Sequence, residues 1–224
     1  MKRQILLTLF ATAYLLVNAQ DIHTTIDNFR VSVVESNDLK SKRYLDLIDG
    51  SPFLNDEWSE GEVIMRNGKK YTYYMKYMIY NDEIWTSNHE DTIKKLNVTD
   101  AVASVLLDGH RFILADYEFK HETKTGLMET LGSAGDFELL KLYTNEFKKA
   151  TKAGAYKAAE RDKFTTKTFL YYRIDEETAN LLPKKKADFI ALFGEEQAHV
   201  KELMDKNKLK VREADILELL KLLN

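Results

Sequence analysis

The chain contains no cysteine. That excludes disulfides, Cys-ligated zinc, iron–sulfur clusters, thiol catalysis and a lipid-modified N-terminal cysteine. Whatever fold forms must be held by core packing. Proline is nearly absent, with only Pro52 and Pro183. The nine glycines are scattered singly, so no glycine-rich loop is present to cradle a phosphate. Positive charge is not in excess: 33 Lys and Arg face 36 Asp and Glu, for a formal net charge of −3. That balance argues against nucleic acid as a general partner. Beyond the first twenty residues no apolar run is long enough to span a membrane as a helix. At 224 residues the chain can form one or two domains with a real core.

What is present begins with Met1–Lys2–Arg3, an apolar run from Ile5 to Val17, and Asn18–Ala19. A charged start, a short apolar run and small residues before a break predict a secretory signal peptide over residues 1–19. The run is too short to cross a hydrocarbon core, which needs about 20 residues. The mature chain is then expected to begin near Gln20 and to be exported to the periplasm or cell envelope.

The stretch that organises the rest is Glu62 to Trp85. Asn67–Gly68 is a strong hairpin signal, predicting a tight turn with positive φ at both residues. Asn81–Asp82 supplies the next turn. Between them Tyr71, Tyr73, Met75, Tyr77 and Ile79 alternate with Thr72, Tyr74, Lys76, Met78 and Tyr80. Period 2 assigns the odd set to a core and leaves the even set partly wet. Asp108–Gly109 predicts a second hairpin. A third, with a longer loop, is expected at Gly132–Ser–Ala–Gly135–Asp136. Phe29–Val33, Thr92–Asn97, Phe164–Ile174 and Ala179–Leu182 read as further strands, and Tyr44–Ile48 as strand or helical turn. Such spacing favours an antiparallel meander over βαβ units. Residues 141–167 are rich in Lys, and read either as a solvated linker or long hairpin loop, or as a basic patch for an anionic surface.

Beyond Pro183 the period switches from two toward 3.6. Short helices are expected at Lys186–Phe193, with Gly194 as a C-cap, at Glu195–Lys206 and at Glu213–Leu223. The last carries six Leu or Ile residues and needs a cover: its neighbours, the sheet or a partner protein. The fold class is therefore α+β. An antiparallel β-meander over residues 20–182, forming a sandwich or partial barrel, is followed by a small C-terminal helical segment over 183–224.

Gly50–Ser–Pro–Phe–Leu–Asn–Asp–Glu–Trp58, Gly61–Glu–Val–Ile–Met–Arg–Asn–Gly–Lys–Lys–Tyr71, Lys76–Ile84 and the tail from Phe193 to Asn224 carry a family likeness. Together they resemble the uncharacterised exported β-rich proteins of Bacteroidetes. The resemblance implies an exported, envelope-associated location. It attaches no activity, cofactor or catalytic residue.

The five histidines, His23, His89, His110, His121 and His199, match no metal-ligand spacing. On a strand His110 and Asp116 share a face, and His121 takes the other. Gly132–Ser133–Ala134–Gly135 is one residue short of a nucleophile elbow. The acid pairs Asp56/Glu57, Asp82/Glu83 and Asp175/Glu176 sit in turns, where solvated carboxylates are normal. No catalytic, cofactor-binding or metal-binding residue is therefore assigned. The candidates for binding are aromatic: Trp58, in the loop after Pro52, and Tyr74 and Tyr80, on the wet face of the central strand. Core packing is the simplest use of the twelve tyrosines, and a platform for sugar rings or a peptide is the sharper one. The expected function is a non-enzymatic, envelope-associated binding or scaffolding protein with a protein or glycan partner. A periplasmic ligand-binding module with an aromatic platform is the alternative, and a hydrolase with dispersed carboxylates comes third.

Overall fold

Period-2 alternation and tight turns build nearly all of the described residues before Pro183. The structure is a computed structural model that describes residues 32–33, 48–87, 93–150 and 161–224. The signal-peptide assignment, His23, His89, residues 44–47 and residues 151–160 lie outside them.

One sheet of eleven strands runs through the described residues: β1 (Ser32–Val33), β2 (Ser59–Met65), β3 (Lys70–Met78), β4 (Glu83–Ser87), β5 (Ile93–Leu96), β6 (Val102–Leu107), β7 (His110–Phe119), β8 (Glu122–Ala134), β9 (Phe137–Lys148), β10 (Lys163–Ile174) and β11 (Asn180–Leu181). The spatial order is β1-β5-β4-β3-β2-β6-β7-β8-β9-β10-β11, with every neighbour antiparallel. It follows a meander order, as the turn spacing predicts, in two runs, β2–β5 and β6–β11, joined where β2 pairs with β6, with β1 added beside β5. A single curled sheet, open rather than a closed barrel, is the form it takes, not two packed sheets. Residues 49–54 strap its separated parts. Asp49 exchanges backbone hydrogen bonds with the start of β10 (Phe164 N to Asp49 O, 2.8 Å). Leu54 N donates to Tyr77 O at 2.9 Å, and Tyr80 N to Pro52 O at 3.2 Å, at the end of β3. At the other margin, Ala179 bonds to Asp116 and Glu118 of β7.

The turns differ in chemistry. Asp108 and Gly109 both have positive φ (53° and 80°), as an Asp-Gly hairpin requires. At Asn67–Gly68 only Gly68 is left-handed (φ 81°). Gly68 N bonds Met65 O at 2.9 Å and Met65 N bonds Lys69 O at 2.8 Å, so the loop has three residues and a glycine bulge. The third hairpin is tighter than expected. Ala134 and Phe137 pair directly across Gly135–Asp136, and Gly132 lies back in β8 at a register shift. There a Cβ would sit 3.3 Å from Leu217. The β7–β8 turn, Lys120–His121, has positive φ at both residues with no glycine. His121 therefore lies in a turn, not on a strand face. The Lys-rich 141–167 stretch is not a linker between units. Lys148 pairs with Lys163, so its two ends are neighbouring strands.

The odd face of β3 enters the core from its middle onward. Met75, Tyr77 and Ile79 are buried with Val63, Ile84, Val105, Phe112 and Leu127. Tyr73 is half-buried and Tyr71 is 37% exposed, because the hairpin tip projects past the core. Each fully buried side chain of this size contributes about 1.5–3 kcal/mol. The C-terminal segment forms α1 (Lys186–Ile190), a 3₁₀ stretch (Ala191–Glu196), α2 (Gln197–Lys206) and α3 (Glu213–Leu223). Gly194, at φ 53°, kinks the chain inside that stretch, where a simple C-cap was expected. Ile216, Leu219 and Leu220 of α3 bury against Phe137 and Leu139 of β9 and against Phe189 and Val200. The sheet and neighbouring helices thus cover the leucine face. No helix among the described residues is long and apolar enough to cross a membrane.

Candidate functional site

The even face of β3 points away from the core, and the strand register decides what gathers there. Lys76 lies opposite Trp85 of β4, and Trp85 opposite Lys95 of β5. Trp58, one residue before β2, approaches from the other side, its ring centre 5.5 Å from Lys76 Nζ. One row across the sheet therefore reads Trp58–Lys76–Trp85–Lys95. At a strand spacing of about 4.8 Å it spans about 14 Å. Phe53, bridged to Met78, lies beside the row. Its ring sits 4.8 Å from Lys76 Nζ and meets Trp85 edge-on at 5.4 Å. In the adjacent row Tyr74 pairs with Glu60 and Ser87 and is 39% exposed.

Polar contacts hold this surface in place. Glu83 accepts from Trp85 Nε1 at 3.0 Å and from Lys95 Nζ at 2.6 Å. Burial pushes the Glu83 carboxyl up, but the bonds from Lys95 and Trp85 outweigh it and hold the group below its ordinary value. Both tryptophans are half-buried, so each ring is packed in part and accessible in part.

Of the three residues singled out from sequence, Trp58 and Tyr74 share this outer face. Tyr80 does not. Beyond Met78 the chain enters the turn and strand parity ends, so Tyr80, although 47% exposed as expected, sets its ring edge-on against Phe164 at 5.4 Å. Phe53, Lys76, Trp85 and Lys95 complete the surface. Their signal was available: a turn closing Met78 onto Glu83 places Lys76 opposite Trp85.

Asp82 and Glu83 are neighbours with opposite fates. The Asp82 backbone is at the surface, but its carboxylate turns inward. Oδ1 accepts from Tyr77 Oη at 2.7 Å, and Oδ2 from Leu127 N at 3.0 Å. That amide is free because β8 and β9 pair only from Glu129 and Lys141 toward the hairpin, and separate beyond. Burial raises the Asp82 carboxyl, with the two hydrogen bonds pulling the other way. A Cβ on Gly126 would stand 2.6 Å from Asp82 Oδ2, so a larger residue there would push the carboxylate off its hydrogen bonds.

A second polar centre surrounds buried Glu129 on β8. His110 Nδ1 lies 2.5 Å from its Oε1, and Tyr143 Oη donates to Oε2 at 2.6 Å. Lys141 Nζ is 3.8 Å from Glu129 and 2.7 Å from Glu213 of α3, so the cluster ties the last helix to the sheet. Burial, then the Glu129 carboxylate, drives the Tyr143 hydroxyl well above its ordinary value. A cleft of ≈ 470 Å³ opens beside Glu129, lined also by Arg111, Ser133 and Glu138. Glu138 is taken up by Arg173 at 2.6 Å. These carboxylates are engaged by partners within the fold, which suits a structural role better than general acid–base work. His110, Asp116 and His121 do not converge: His110 turns to Glu129, Asp116 accepts from Thr125, and His121 is exposed in its turn. Among the described residues no group of three or more metal-ligating side chains is placed to hold an ion. No protein-family model matches the chain, and no curated protein and no solved structure matches it.

Proposed function

We propose that this protein is an exported, non-enzymatic binding protein of the periplasm or cell envelope, and that the outer face of β2–β5 binds a glycan. The observation that carries the reading is the Trp58–Lys76–Trp85–Lys95 row. Indole faces stack on the apolar faces of sugar rings, and Glu83 and Lys95, paired at the end of the row, offer an acceptor and a donor to sugar hydroxyls. The row is continuous across neighbouring strands, which suits an extended polymer better than a small enclosed ligand. The predicted signal peptide and the resemblance to exported envelope proteins support the location.

The test is a glycan array of envelope polysaccharides, probed with the natural chain and with the Trp58→Ala/Trp85→Ala double variant. Binding by the first and loss of at least tenfold in the second is the expected result. If no glycan is retained, or the double variant binds as well, the reading fails. Capture of a protein that depends on the same two tryptophans would replace the glycan with a polypeptide partner.

A further inference from the structure

A second surface, remote in sequence from the aromatic row, carries a different chemistry. Where α1 begins and α2 ends, four lysines of this net-acidic chain line a cleft of ≈ 410 Å³: Lys184, Lys186, Lys208 and Lys210. The floor is apolar and fixed, since Met204 and Leu209 are both buried. Asp205 is the acid in the cleft, and Lys186 Nζ already holds it at 2.8 Å. Among the described residues the other three ammonium groups make no ion pair or hydrogen bond; Lys210 lies in the field of Asp215, a carboxylate already paired with Arg212 at 2.8 Å.

The backbone that presents them is held rigidly. Leu209 N bonds Met204 O at 2.8 Å and Lys208 N bonds Asp205 O at 3.3 Å, the paired bonds that close a helix through a left-handed residue. That residue is Lys208, at φ 55°, in a position that strongly favours glycine. Lys210 N donates to Asp215 Oδ2 at 2.8 Å, pinning the next turn. Substituting glycine there would ease the backbone, so the lysine stands at a conformational cost.

We propose that this cleft binds a phosphate-bearing anion, with the lysines around the phosphate and any apolar portion of the ligand against Met204 and Leu209. Phosphate suits the arrangement because lysine ammonium groups act as mobile point charges that share a multiply charged oxyanion. The proposal stands independently of the glycan reading, because no residue is shared between the two surfaces.

The full chain is titrated with inorganic pyrophosphate while the Lys208–Val211 amide signals are followed by NMR. In parallel it is sedimented with phosphatidylglycerol-rich vesicles and with pure phosphatidylcholine vesicles. Saturable shifts with pyrophosphate identify a free phosphate compound, and selective sedimentation with the anionic vesicles identifies a lipid headgroup. In either case the Lys184→Gln/Lys208→Gln/Lys210→Gln variant is expected to weaken binding about a hundredfold, at about fivefold per lysine. Lys208→Gly separates binding from folding: it is expected to raise the melting temperature while weakening binding about fivefold. Absence of binding to both probes overturns the proposal, as does binding that the triple variant leaves unchanged.

Discussion

Asp82 and Glu83 are adjacent in one turn, yet they serve two different surfaces. Asp82 reaches inward and satisfies Tyr77 and the unpaired Leu127 amide. Glu83 reaches outward and fixes Trp85 and Lys95. Inside, polar groups meet partners within the fold, and their removal is expected to read out as stability. Outside, two indoles are held in position with part of each ring left accessible, and their removal should read out as binding. The same pair of strands therefore separates holding the fold from recognition by face alone.

The largest effect is expected from Asp82→Ala. It strands a buried tyrosine hydroxyl and a backbone amide, at about 3 kcal/mol together. Urea unfolding followed by circular dichroism measures it, and a loss below about 1 kcal/mol would mean that the carboxylate does not join the turn to β8. Gly126→Ala comes next, at about 2 kcal/mol, because its methyl group meets the Asp82 carboxylate. The double variant Asp82→Ala/Gly126→Ala should cost clearly less than the sum, since the first change removes the clashing partner. Strict additivity would show that the two residues do not touch.

A smaller effect separates the two carboxylates by pH. Asp82 has a folded pKa above its unfolded value. Its ionised form therefore costs stability, a cost absent at low pH and complete once pH rises past the folded pKa. Glu83 has a lowered pKa, so its contribution is present above the ordinary glutamate value and is lost as pH falls through the folded one. Asp82→Asn should make stability rise more steeply with pH in the acid range, and Glu83→Gln should make it rise less steeply. Unfolding free energies taken at a series of pH values check this, and slopes changing in the same direction would contradict it. The smallest stability effect belongs to Trp58→Ala, at about 1 kcal/mol or less, because the ring is only half-buried.

Legibility followed local rules. Asp108–Gly109 announced its turn because both residues tolerate positive φ, and the α3 leucines announced a helix through their period. The Lys120–His121 turn gave no such sign, since neither residue favours that conformation and the flanking strands impose it. The strap at 49–54 was invisible for another reason. Its partners lie on β3 and β10, far away in sequence, and nothing in Asp49 or Pro52 names them. Parity assigned both Tyr74 and Tyr80 to the wet face: both are exposed, but Tyr80 stands past the end of β3 and packs on Phe164 rather than joining the row, while Trp58, legible only as a loop aromatic, was brought to the row by register. Glu129 stands in the apolar run Leu127–Met–Glu–Thr–Leu131, where a carboxylate signals buried partners. His110 and Tyr143 had to be brought there by register before that signal had a meaning.

The chain has two tryptophans, and both lie in the outer row. Intrinsic fluorescence therefore reports on the proposed recognition surface. Titration with a glycan retained on the array should shift or quench the tryptophan emission at the concentration where calorimetry detects binding. Asp82→Asn, studied where it is fully folded, should reproduce that titration. Calorimetric binding with unchanged tryptophan emission would place the glycan elsewhere and contradict the division between the two faces.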